Sequence, residues 1–150
     1  MLEKSENLKN LAAALVKFQK DVENVKKDSK NPFFKSKYAS LSNVIDAIRE
    51  PLSNNELAFM QFPSGDGELI TVVIHSSGEY IMASFKMSPT KNDPQALGSA
   101  ITYARRYGLA AALGLNVQDD DDGNAASDGS HPMAGKSTGY PYTPPVTKNY

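Results

Sequence analysis

The chain has 150 residues, 40% hydrophobic and 22% charged, with a formal net charge of −1, as expected for about one soluble globular domain with a real core. It has no cysteine, which excludes disulfide scaffolds, thiolate nucleophiles and zinc–thiolate sites. Residues 1–118 hold 14 Lys/Arg against 12 Asp/Glu, and residues 119–150 hold 2 against 5, so a mildly basic body precedes an acidic tail.

Residues 5–28 read as a first helix. Leu8, Leu11, Leu15, Phe18, Val22 and Val25 recur at spacings of three and four, which places them on one face. Ser5 is the expected N-cap, with Glu6 favourable in the first turn. Residues 26–40, KKDSKNPFFKSKYAS, read as a loop by their Asn-Pro and Ser content. A second helix is expected from about Leu41, with an apolar stripe of Val44, Ile45, Ile48 and Leu52. Pro51 should kink or end it unless a separate final turn begins there.

Three strands are expected next, at Leu57–Phe62, Leu69–His75 and Tyr80–Met87, joined by PSGDG and SSGE. Those linkers suit hairpins, and the alternation in the third segment suits an antiparallel meander with one covered face. The last helix opens with Asp93 as N-cap and Pro94 at the first helical position. Leu97, Ala100, Ile101, Ala104, Gly108 and Ala111 should form its buried face, within about 100° of one another. Gln95, Ser99, Thr102 and Arg106 lie opposite, and Gly114 is the expected stop.

Beyond Gln118 the chain is rich in Gly, Ser, Pro and Asp and poor in aliphatic residues. Such a segment cannot offset its own ordering entropy, so residues 119–150 are expected to be a disordered acidic tail. Residues 1–118 then form the folded domain. Its class is α+β, a small antiparallel three-stranded sheet with helices packed on one face.

Covalent chemistry finds little support. The full Gly-x-x-x-x-Gly-Lys-Ser/Thr pattern of a phosphate-cradling loop is absent. The two histidines, His75 beside a hairpin turn and His131 in the tail, give no relay and no metal set. A calcium loop placed on the aspartate run with Gly123 at its sixth position has Gln118 first and Gly129 twelfth, so both ends fail. The run reads as a solvated acidic segment, or as one that competes with phosphates for the protein's own basic surface.

Two segments carry binding chemistry instead. Lys26, Lys27, Lys30, Lys35 and Lys37 face one acid, Asp28, and are interleaved with Phe33, Phe34 and Tyr38. Lysines neutralise phosphates while aromatic faces stack on bases of any sequence, the pairing that general single-strand binding requires. The same residues also fit a solubilising loop with a Phe plugged into the core. The second segment is Tyr103-Ala104-Arg105-Arg106-Tyr107. Its guanidinium groups can fork onto phosphates or stack on bases, or simply pair with neighbours while a Tyr covers the sheet.

KSKYASLSNVIDAIREPLSNNEL, then HSSGEYI, then DPQALGSAITYARRYGLAAALGLNVQDDDDGNAA resemble the essential recombination function (ERF) family of phage single-strand annealing proteins. The resemblance spans roughly residues 5–126, and its last block is the most specific. It implies annealing of complementary single strands without ATP, in rings or arcs, by an α+β core similar to that of eukaryotic ring-forming annealing proteins. It implies no catalytic residues and no cofactor. Lys35, Lys37 and Tyr38 fall in the family's KSKYA block, and Arg105 and Arg106 in its YARRY block.

The expected DNA-binding set is therefore Lys26, Lys27, Lys30, Phe33, Lys35, Lys37, Tyr38, Arg105 and Arg106. Expected partners are single-stranded DNA, further copies of the chain in a ring or helical array, and a single-stranded-DNA-binding protein or an exonuclease. No run approaches the roughly 18 apolar residues of a membrane span, and MLEKSENLKN lacks a signal-peptide core. The bacterial host cytoplasm is the expected location. Two rivals stand beside this reading. One is an interaction protein that recruits replication partners through its acidic tail. The other is a nuclease built on carboxylates among Asp46, Glu50, Glu68, Glu79 and Asp93.

Overall fold

The computed structural model describes residues 2–30 and 37–118. In chain order these form β1 (Leu2–Lys4), α1 (Lys9–Asp21), β2 (Ser29–Lys30), β3 (Lys37–Tyr38), α2 (Leu41–Asn54), β4 (Leu57–Pro63), β5 (Glu68–His75), β6 (Tyr80–Lys86) and α3 (Pro94–Leu113). The class is α+β, as expected. The main sheet has four antiparallel strands, however, in the order β1-β6-β5-β4, and β2 pairs with β3 in a separate ribbon.

The central hairpins follow from their sequences. Phe59 pairs with Val73, and Val73 with Ile81. One face of the sheet therefore carries Leu57, Phe59, Leu69, Val73 and Ile81, which pack into the helices' apolar residues. The opposite face carries Met60, Phe62, Ile70, Val72 and Met82, with Met60 and Phe62 exposed. The deepest core residues are Leu11 and Phe18 of α1, Val44 and Ile48 of α2, and Leu109 and Leu113 of α3, each at most 2% exposed.

The first helix is much shorter than the 5–28 expected. Ser5 is not its cap: the Ser5 N–H donates to the Tyr80 carbonyl at 3.0 Å, and its hydroxyl accepts from the Tyr80 N–H at 3.1 Å. The preceding residues lie extended along β6 as an edge strand, Leu2 opposite Ala83. The helix starts after Leu8, which offers no side-chain cap. Glu79, only 7% exposed, supplies the acceptors from the β5–β6 turn. It takes the Leu11 N–H at 2.7 Å and the Asn10 amide at 2.9 Å, a negative group at the positive end of the helix dipole. Beyond Asp21 the backbone turns extended at Val22, and Val25 is still buried. A spacing of three thus served an extended segment lying on the core, not a longer helix.

α2 runs through Pro51 to Asn54 without the expected break. Only one turn follows the proline, and the Asn55 amide donates to the Pro51 carbonyl at 2.8 Å and to Asp21 at 2.8 Å, so the helix end is held from outside. Ser40 caps its start, accepting from the Asn43 N–H at 3.1 Å.

α3 has the expected ends. Asp93 accepts from the Ala96 N–H at 2.8 Å, and Gly114 adopts the left-handed conformation at φ 68°. Its buried stripe differs: Ala104, Leu109, Ala110 and Leu113 are buried, whereas Leu97 is 46% exposed and Ala111 is exposed. The helix packs on β5 and β6 and also against α2, so the buried face does not stay on the one line that a single partner would impose. Gly108 lets the helix lie close against the sheet. A Cβ there would lie 2.9 Å from Thr71 Oγ1.

Candidate functional site

The chain leaving α3 returns to the β2–β3 ribbon. Gln118 bridges to Tyr38 in antiparallel fashion, and the Ala39 N–H donates to the Val117 carbonyl at 2.8 Å. This lateral pairing sets the ribbon beside α3 and joins the two segments that the sequence singles out. The Arg106 guanidinium lies 4.5 Å from the centre of the Tyr38 ring, 4.9 Å from Tyr107 and 5.8 Å from Tyr103. Tyr103 and Tyr107 are themselves 4.3 Å apart. Spacings of three and four from Tyr103 place Arg106 and Tyr107 on its side of the helix, and Tyr38 closes the cage from the ribbon.

Arg106 is thereby held in one orientation by stacked rings. Its Nε is buried and meets no hydrogen-bond acceptor among the described residues. The Tyr107 hydroxyl donates to Gln118 Oε1 at 2.8 Å, which fixes one wall of the cage. The Tyr103 phenol is pushed above the ordinary tyrosine range, first by partial burial and then by Tyr107, with Arg106 pulling the other way. Beside the cage, Gln95, Gly98, Ser99, Thr102, Tyr103 and Arg106 line an open groove of about 480 Å³. This is the polar stripe expected on α3.

Arg105 has a different setting. Its Nε donates to Gln61 Oε1 at 3.3 Å, and its carbonyl accepts from Gln61 Nε2 at 3.0 Å. Gln61 also donates to Thr71 Oγ1 at 3.0 Å. Arg105 therefore braces α3 against β4 and β5 while Arg106 turns to the ribbon, and the structure separates the two halves of the arginine pair.

The lysines divide as well. Register places Lys30 opposite Lys37 and Ser29 opposite Tyr38. One face of the ribbon thus carries two exposed lysines, and the other carries the half-buried residues turned to the body. Like charges directly across a strand pair are destabilising by tenths of a kcal/mol, and an anion seated between them reverses that sign. Lys26 lies 3.7 Å from Asp28, both side chains largely exposed. Lys27 donates to the Gln118 carbonyl at 3.4 Å and so ties the segment to the end of the body. The Asn43 amide holds the same stretch to α2 through the Lys26 carbonyl and Asp28. Phe33 and Lys35 lie outside the described residues, as do the aspartate run and the tail.

Sequence reasoning gave Tyr103 and Tyr107 no role beyond covering the sheet, and it did not single out Gln61 as a brace or Gln118 as a strap. The i, i+3, i+4 spacing around Arg106 was the available signal for the tyrosines. The carboxylates weighed for a nuclease are partly engaged in structure, with Glu79 on the start of α1 and Asp93 on the start of α3. Among the described residues, no three His, Cys, Asp or Glu side chains come together as a metal site. His75 belongs to its turn, accepting from the Ser77 N–H at 3.1 Å. No helix among the described residues is long and apolar enough to cross a membrane.

A family model described as the ERF superfamily matches residues 11–139. The chain therefore belongs to the ERF superfamily, as its motifs led one to expect, and so to a family whose role is recombination of the strand-annealing type. No curated protein and no solved structure matches it.

Proposed function

We propose that the chain binds single-stranded DNA along the β2–β3 ribbon and α3, and anneals complementary strands without a nucleotide cofactor as an assembly of several copies. The observation that carries the proposal is the Arg106 cage, which unites residues from two segments far apart in sequence around one preoriented cation. A guanidinium whose faces are stacked loses little freedom when its edge meets a phosphate. Lys30 and Lys37 supply a second cationic point on the exposed face of the ribbon.

Contacts of this kind read the backbone and leave base edges accessible, which annealing needs. Few cations per copy give weak binding by one subunit, and a row of linked sites raises avidity without new contacts. Assembly in a ring or helical array, phage recombination in a host cytoplasm, and a single-stranded-DNA-binding protein or exonuclease as partner belong to the same proposal. So does the division into a binding body, residues 1–118, and an acidic tail.

The test is fluorescence anisotropy of a labelled oligonucleotide across a salt series. Log affinity should fall linearly with log salt, by about 0.7 per phosphate neutralised on a single strand. Replacing Lys30 and Lys37 together by Ala should lower that slope by about 1.4 if each holds one phosphate. Arg106→Ala should weaken binding about tenfold, the value of one good charge-assisted bond. Salt-insensitive binding, or an unchanged slope in the double variant, would contradict the proposal.

A further inference from the structure

A second groove adjoins the cationic one. It lies between the end of β6, the chain that follows it and the first half of α3, has a volume of about 430 Å³, and is walled by Phe85, Met87, Pro89, Ala96, Ala100 and Tyr103. The two grooves share Ser99 and Tyr103, so they flank the same stretch of α3 as neighbours. Its aromatic walls are open to solvent, Phe85 at 37% and Tyr103 at 52% exposed. The alanines on its helical side leave room for a flat ring. The lining also holds one cation, Lys86 at the end of β6, and the hydroxyl residues Ser88, Thr90 and Ser99, but no carboxylate.

We infer that this groove receives nucleobases of the strand whose phosphates lie on Arg106, so that Phe85 and Tyr103 act as a stacking platform. The inference rests on the strand-binding reading above and adds a base subsite to it. Adjacency selects the occupant. A single strand alternates a charged backbone with flat apolar rings, and here a cationic groove and an aromatic one meet at a shared tyrosine. Stacking on aromatic faces accepts any base, which fits a protein that must not choose its sequence. Small residues at Ala96 and Ala100 serve the same purpose, since they add no hydrogen-bonding group that would favour one base.

The experiment compares two probes of equal length and charge, oligothymidylate and a fully abasic oligonucleotide, against the wild-type chain, Phe85→Ser and Ala96→Gln. Circular dichroism and thermal melting check that each variant folds. Oligothymidylate should bind the wild type about tenfold more tightly than the abasic probe, the value of roughly one stacked base. Phe85→Ser should lose most of that difference while leaving the abasic affinity and its salt slope unchanged. Ala96→Gln, which narrows the groove from the exposed side of α3, should do the same if Phe85→Ser does not fold. Equal wild-type affinities for the two probes, or variants that weaken both equally, would overturn the base subsite while leaving phosphate-led binding in place. Binding of neither probe would overturn the strand-binding reading itself.

Discussion

Two glycines of α3 give the same substitution opposite signs. In an exposed helix, Gly→Ala stabilises by about 1 kcal/mol, because Ala loses less backbone entropy. Gly98 meets that condition, since a Cβ there has no neighbour within 4 Å. At Gly108 the new Cβ would lie 2.9 Å from Thr71 Oγ1 and 3.4 Å from Gln61 Nε2. Thr71 cannot yield cheaply. It is 5% exposed and β-branched, and its hydroxyl holds the Gln61 amide at 3.0 Å. Overpacking costs about 1–3 kcal/mol, and loss of the Gln61 bond about 1 kcal/mol more. Set against the propensity gain, Gly108→Ala should destabilise by about 1–3 kcal/mol and Gly98→Ala should stabilise by up to about 1 kcal/mol. Chemical denaturation at constant m-value reads both as midpoint shifts. A stabilised Gly108→Ala would refute the close helix–sheet approach, and with it the Gln61 brace that orients Arg105.

Two further outcomes follow from single groups. Glu79→Gln replaces a carboxylate that accepts two hydrogen bonds at the start of α1 with an amide that turns a donor toward other donors. Stability should fall by about 2 kcal/mol, measured by the same denaturation; a loss under about 0.5 kcal/mol would show that the cap matters little. Tyr103 should remain a phenol at pH values where free tyrosine ionises, because its folded value is raised. A raised value favours the protonated form in the fold, so this stabilisation is present below the unfolded tyrosine pKa and is lost as pH rises through the folded one. A phenolate absorbance titration of the wild type against Tyr103→Phe reads it, and ionisation at or below the ordinary tyrosine value would contradict the partial burial of that ring.

Local signals were legible, and contacts between distant segments were not. The hairpins at Leu57–His75 and His75–Lys86 were clear because alternation and turn residues coincide. Asp93, Pro94 and Gly114 marked the ends of α3 through the chemistry of caps. β1 escaped notice because three residues are too few to show a period, and its pairing with β6 depends on Ser5 meeting Tyr80 across the fold. The first helix was read too long because Val22 and Val25 keep a helical spacing while lying extended on the core. The candidate site shows the same limit. Each half, the lysine-rich stretch and the arginine pair, stood out by composition. That Tyr38 lies over Arg106, and that Arg105 turns to Gln61, depends on the pairing of Gln118 with Tyr38 and on the rotation of α3 against the sheet. No local window contains that information.

The central claim is strand annealing driven by binding alone. Two complementary oligonucleotides carrying donor and acceptor dyes, mixed at concentrations where they pair slowly, measure it directly by energy transfer. The protein should accelerate pairing with no nucleotide present, and Arg106→Ala should reduce the acceleration while keeping its fold. No acceleration by the wild-type chain, or acceleration only when ATP is added, would contradict it.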